Sequence, residues 1–158
     1  VSGRRRCQKP AGHPPGEAGS LFRPGVTRSA EYRPQNVIVG IDHVQVAAPP
    51  DSEADARRFY GGLLGLVELE KPPLLAARGG VWFRAGAQEL HVGVTSDFSP
   101  AVKAHPALRL SSRDALEALT ARLERNGVPV SRPDRAETPG TARLHVLDPW
   151  GNRIELLG

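Results

Sequence analysis

The feature that most limits how this chain can fold is an internal repeat. From His43 to the helix-ending Gly65 is 22 residues, and from His105 to Gly127 is again 22. From His43 to His91 is 48 residues, and from His105 to Glu155 is 50. Each half reads as a strand, a helix and a three-strand meander. Self-similarity on this scale marks one supersecondary unit used twice, each copy burying its apolar face with help from the other.

The first unit, residues 37–94, opens on a strand over Val37–Ala47. Val44 and Val46 lie on one face of it, and Ile41, His43, Gln45 and Ala47 on the other. Pro49 and Pro50 end the strand. Ser52 then offers an N-cap with Asp55 three residues on. The helix that follows carries Ala56, Phe59, Tyr60, Leu63 and Leu64 at helical spacing and stops at Gly65. Strands are expected at Val67–Glu70, around Leu74–Ala77 and at Gly80–Arg84. A turn at 85–87 leads into Gln88–Val94, where Leu90, Val92 and Val94 share a face and Glu89, His91 and Gly93 face away.

A linker, 95–104, separates this unit from the second, 105–158. There a strand over His105–Leu110 precedes a helix capped by Ser111 or Ser112. Its apolar positions are Ala115, Leu116, Leu119 and Leu123, and it ends at Asn126-Gly127. Strands at Val128–Ser131 and Ala142–Leu147 lead into a closing hairpin. Asp148-Pro149-Trp150-Gly151-Asn152 supplies its turn residues, and Ile154 and Leu156 alternate with Arg153, Glu155 and Leu157 on its outgoing arm. The fold class is therefore α+β: two tandem βαβββ modules, curved like half-barrels, with helices on the outside.

Charge is unevenly placed. Residues 1–36 hold seven Lys or Arg against two acids, whereas the remaining 122 hold fourteen bases and fifteen acids. With five prolines and many glycines, residues 1–36 read as a disordered basic tail. A basic tail without interleaved aromatic platforms does not make a nucleic-acid protein, and no apolar run is long enough to span a membrane. The single cysteine, Cys7, allows no internal disulfide, which fits a cytoplasmic protein.

Four residues fall at matched places in the two modules: His43 and His105 on the opening strands, His91 and Glu155 on the closing ones. Each lies opposite the apolar stripe that packs on the helix. A strand histidine on its own is more often a surface or core residue than a ligand; the repetition is what singles these out. Three imidazoles and a carboxylate suit a divalent transition metal such as Zn, Ni, Mn or Fe. His145 has the same parity on its strand and reads as a substrate or supporting contact. Arg109 and Arg143 share the parity of His105 and His145, which suits them to an anionic substrate. Trp82 and Trp150 read chiefly as packing residues.

The stretches IDHVQVA, RRFYGGLLGL, HPALRL and DPWGNRIEL together resemble the vicinal oxygen chelate superfamily, over residues 38–158. That superfamily includes glyoxalase I, methylmalonyl-CoA epimerase, fosfomycin-resistance thiol transferases, extradiol dioxygenases and bleomycin-resistance proteins. The resemblance implies paired βαβββ modules, often with the site completed across a homodimer. It puts His43, His105 and Glu155 at the positions of a two-His-one-carboxylate set. His91 falls where glyoxalase I has Glu and the epimerase has Gln, so it is a fourth ligand or a catalytic base, with Glu155 the other catalytic residue. The implied activity is that of a metal-dependent lyase or isomerase, the cation chelating neighbouring oxygens of a small substrate. The alternatives are a non-enzymatic drug- or metabolite-binding module and an extradiol-type dioxygenase.

Overall fold

The computed structural model describes residues 38–133 and 140–158, so the tail expected over 1–36 lies outside the described residues. Everything described belongs to the unit Ile38–Gly158.

Alternation in the sequence becomes two four-stranded sheets. In the first, β1 (His43–Ala48), β2 (Val67–Leu69), β3 (Val81–Ala85) and β4 (Gln88–Val94) stand in the order β1-β4-β3-β2. In the second, β5 (Ala107–Arg109), β6 (Val130–Ser131), β7 (Arg143–Leu147) and β8 (Arg153–Leu157) stand in the order β5-β8-β7-β6. The opening strand of each module runs parallel to the closing one, and the other pairs are antiparallel. The expected βαβββ repeat is thus present, with both sheets open rather than closed. Among the described residues no helix is long and apolar enough to cross a membrane.

The helices sit on the apolar sides. In the first module α1 (Glu53–Ala56) continues into a π-helical segment, Arg57–Leu63, which buries Phe59 and Tyr60. The wider winding is visible in the Leu64 amide, which bonds to the Phe59 carbonyl five residues back. In the second module α3 (Arg113–Arg125) buries Leu116, Leu119, Thr120 and Leu123. The Ser112 hydroxyl accepts the Ala115 amide at its start, and Gly127 closes it at φ +73°. One continuous apolar cluster joins these faces to Val81, Phe83, Leu90 and Val92 of the first sheet and to Leu144, Val146, Ile154 and Leu156 of the second.

Three expectations are corrected. Residues 74–77 do not form a strand: Pro73–Ala76 is a single helical turn, α2, with Pro at its first position, where a missing N–H costs nothing. The opening strand, expected from Val37, which lies outside the described residues, begins at His43. Ile38, Val39 and Ile41 are largely exposed, and strand pairing starts only where the Glu89 amide reaches the Asp42 carbonyl. Ser52 precedes α1 but makes no side-chain cap; its buried hydroxyl has no partner.

The closing turn does more than reverse the chain. Gly151, at φ +94°, makes the reversal, and the Asp148 amide bonds to the Asn152 carbonyl. The buried Asp148 carboxylate accepts from the Trp150 and Asn152 amides, from Asn152 Nδ2 and from the Tyr60 hydroxyl at 2.9 Å. Asn152 Nδ2 also donates to the Ala47 carbonyl, while its Oδ1 accepts the Ala101 amide. The turn of the second module therefore holds the helix and first strand of the first module. Burial and the adjoining Asp148 charge push the Tyr60 phenol far above its usual range.

Candidate functional site

Strand register shows how closely the two modules correspond. In the first, Gln45 pairs with His91, and His91 with Trp82. In the second, Ala107 pairs with Glu155, and Glu155 with His145. His43 and His105 each stand two residues before the first member of these rows. The matched pairs are therefore His43 with His105, His91 with Glu155 and Trp82 with His145.

On the second sheet these positions converge. His105 Nε2 lies 3.2 Å from Glu155 Oε2, and His145 Nε2 lies 3.9 Å from Glu155 Oε1. Arg143 donates to the same Oε1 at 3.4 Å. Among the described residues, His105, His145 and Glu155 are the one group of three potential ligands whose atoms all lie within 4.8 Å of one another. His105 Nδ1 is 2.8 Å from the Lys103 carbonyl, which can only accept, so Nδ1 carries the hydrogen. Its Nε2 then confronts the Glu155 carboxylate. Two lone pairs facing each other are relieved only by a cation between them, either a proton or a metal ion. Burial, assisted by the Arg153, His105 and Arg143 charges and opposed by Glu155, holds His145 below the ordinary imidazole range, so it too offers a lone pair. The donor set fits a divalent ion.

On the first sheet His43 and His91 stack on each other, ring centroids 4.3 Å apart, and the Trp82 indole lies flat against the other side of His91 at 4.0 Å. His43 Nδ1 meets Asp42 Oδ1 at 2.8 Å and His91 Nε2 meets Glu89 Oε2 at 2.9 Å. Each imidazole thus gives one nitrogen to a carboxylate and keeps the other, an arrangement common around metal-binding histidines. A hollow of about 440 Å³ runs over this stack, bounded by Gln45, Lys71, Arg78 and Gly93. The end of the Gln45 side chain lies over Gly93, where a Cβ would meet it.

Within one protomer, then, His105 and Glu155 come together with His145 and Arg143, and His43 comes together with His91. The two pairs stand on different sheets. Arg109 lies exposed on the edge strand β5, outside the cluster. Sequence reading passed over Glu89, although its parity with His91 on one strand was a usable signal, and it assigned Trp82 to packing. Lys71, near the Trp82 ring and bonded to the Gly79 carbonyl, carried no signal at all.

Two βαβββ modules with parallel outer pairs and a polar face on each sheet define a class of protein. The profile of the Glyoxalase/Bleomycin resistance protein/Dioxygenase superfamily matches residues 40–156, and the chain belongs to that superfamily. A glyoxalase family protein from Bacillus anthracis is 46% identical, covering 78% of this chain and 97% of its own, with a TM-score of 0.72. Two others share the fold at lower identity. An integron cassette protein from the mobile metagenome of Halifax Harbour sewage outfall has 22% identity, 77% and 99% coverage and a TM-score of 0.62. A lactoylglutathione lyase from Agrobacterium tumefaciens has 21% identity, 75% and 92% coverage and a TM-score of 0.59. No protein of curated function matches the chain.

Proposed function

We propose that this chain is a metal-dependent enzyme of the glyoxalase type, a lyase or isomerase acting on a small molecule with two neighbouring oxygens. The observation that carries the reading is the state of the histidines. His43, His91 and His105 each commit one ring nitrogen to an acceptor, and His105 keeps the other within 3.2 Å of the Glu155 carboxylate. In this reading His43, His91, His105 and Glu155 are the ligands, two from each module. The bound ion supplies Lewis-acid stabilisation of charge developing on the substrate oxygens. Arg143 steadies Glu155 and, with Arg109, attracts an anionic substrate. His91 has two possible uses for its remaining nitrogen, Nδ1: binding the ion, or taking a substrate proton while Glu89 steadies the imidazolium from Nε2.

The assembly that unites the two pairs is a homodimer. Strands β1 and β5 are open sheet edges, which proteins pair or cover, and a second copy brings the complementary pair of ligands. A second reading, a binding module without chemistry, is favoured by the first-sheet hollow of about 440 Å³, which the aromatic Trp82 and the two stacked imidazoles line. Metal analysis of protein purified without chelator separates the two. About one equivalent of a divalent ion per chain, lost on replacing Glu155 with Ala, supports the enzyme. Less than roughly a tenth of an equivalent, with none regained on reconstitution, supports the binding module. Protein loaded with Zn, Ni, Mn or anaerobic Fe(II) is then offered hemithioacetals, acyl-CoA epimers, catechols and epoxide antibiotics. Sedimentation that shows a monomer at micromolar concentration with the ion retained removes the shared site.

A further inference from the structure

We infer that His145, together with His105 and Glu155, makes a three-ligand divalent-cation site inside the second module, complete in a single protomer. The inference rests on the reading that a divalent ion is the cofactor, but it gives that ion a different first resting place. The four-ligand set draws on both modules; this one does not.

The register makes the site. Glu155 lies on β8, between β5 and β7, and His145 is its direct cross-strand partner. His105 stands two residues before Ala107, the β5 residue paired with Glu155. Glu155 and His145 therefore stand side by side on neighbouring strands, and His105 reaches them from just before the edge strand β5. Around an ion with bonds of about 2.1 Å, tetrahedral ligand atoms lie roughly 3.4 Å apart. His105 Nε2 stands 3.2 Å from Glu155 Oε2, close to that value; His145 Nε2 stands 3.9 Å from the other oxygen, Oε1, and one ligand atom from each of the three residues lies within 4.8 Å of the other two. Small rotations of the side chains close the shell while the strands stay in place.

Orientation is already set for two of the three groups. His105 is held through Nδ1 by the Lys103 carbonyl, which aims Nε2 at the site. Glu155 gives Oε1 to Arg143 and turns Oε2 towards His105. A bound ion can use Oε2 without dislodging Arg143. All three ligands are partly buried, so an ion can enter from solvent yet loses much of its hydration on doing so.

The first module lacks this capacity. Its counterpart of His145 is Trp82, whose indole offers no ligand atom and lies parallel to His91 within 4°. His43 and His91 are stacked face to face, and among the described residues no third potential ligand joins them in such a group. The two modules therefore differ in order of loading: the second captures the ion, and the histidine pair of the first joins afterwards.

The test uses the full-length chain carrying His43→Ala and His91→Ala, stripped with chelator and titrated with Co(II). Visible d–d absorption and indicator competition report binding independently of any turnover. The double variant should still take up one equivalent of Co(II) per chain, more weakly than wild type because two later-joining ligands are gone, but saturably. Adding His145→Ala should weaken it by about a thousandfold or more, beyond the roughly 10–100-fold loss typical of removing a neighbour of a ligand. Hyperfine-shifted imidazole N–H resonances should number two in the double variant and one after the third change. Should His145→Ala fail to fold by circular dichroism, His145→Phe keeps a flat ring there without a ligand atom and is read the same way. If wild type binds Co(II) but the double variant does not, this inference falls and the four-ligand enzyme stands. If the triple variant binds as tightly as the double, His145 is not a ligand and the inference again falls. Wild type that binds no Co(II) removes both.

Discussion

Replacing Tyr60 with Phe tests whether the closing turn joins the two modules. The change removes one oxygen from a residue with no solvent exposure and leaves the ring among Phe59 and Phe83. What is lost is one 2.9 Å hydrogen bond to the Asp148 carboxylate. A hydrogen bond to a charged group is worth about 1.5–3 kcal/mol. Asp148 keeps three other donors, the Trp150 and Asn152 amides and Asn152 Nδ2, so it is not orphaned. A destabilisation of about 2 kcal/mol follows. At about 2.1 cal/mol/K per residue over the Ile38–Gly158 unit, the unfolding entropy is roughly 0.25 kcal/mol/K, so Tm should fall by about 8 °C. Urea unfolding followed by circular dichroism should show the same loss with an unchanged m-value. A loss below about 0.5 kcal/mol would refute the reasoning, because the Tyr60–Asp148 bond would then be no better than one to water.

Four further outcomes are expected. Gly80→Ala should destabilise by about 3 kcal/mol, since Gly80 sits at φ +80° and a Cβ there runs into the Val92 carbonyl. Gly93→Ala should cost under about 1 kcal/mol, because its Cβ meets only the movable end of Gln45; comparing the two melts checks both. The Glu53 carboxylate accepts the Gly80 amide at 2.7 Å, and that bond holds its pKa below the usual range. A depressed carboxylate stabilises above its unfolded pKa of about 4.3 and loses that contribution as pH falls through the folded value. The stability gap between wild type and Glu53→Gln, measured by urea melts, should therefore be present at pH 7 and narrow towards pH 3. His91→Ala separates the two uses of that side chain. As a ligand its loss weakens metal affinity by orders of magnitude; as a base it leaves the metal in place and lowers turnover by about 10²–10⁴-fold.

Much of this architecture was legible before any coordinates. Strand β4 runs over Gln88–Val94 as its alternation requires, and Ser112 caps α3 as its position before an apolar helical stripe suggests. Of the four repeat-matched positions, His43, His91 and Glu155 stand on β1, β4 and β8, whereas His105 precedes β5 by two residues instead of opening it. Three things were not legible, each for a physical reason. The Leu74–Ala77 stretch is apolar in a way that fits a strand or a helical turn equally, and Pro73 decided it. Asp148 and Asn152 read as turn formers because their buried partners, Tyr60 and Ala47, are remote in sequence. Parity put His145 on the face of Glu155, but only the hairpin register puts it directly opposite. Alternation tells which side a residue faces, not which residue it faces.

The common register of the two modules has a stereochemical consequence. A duplicated unit joined to an unaltered copy would give a cleft with identical walls, unable to tell the left side of a ligand from the right. Here the copies differ where it matters. Across the matched positions, Trp82 stands for His145, Gly80 for Arg143 and His91 for Glu155. An assembly that faces one module with the other sets an aromatic plane against a wall bearing a carboxylate and a guanidinium. Divergence between the repeats thus removes an internal twofold symmetry: the two walls offer different groups, so the two ends of anything held between them are no longer interchangeable.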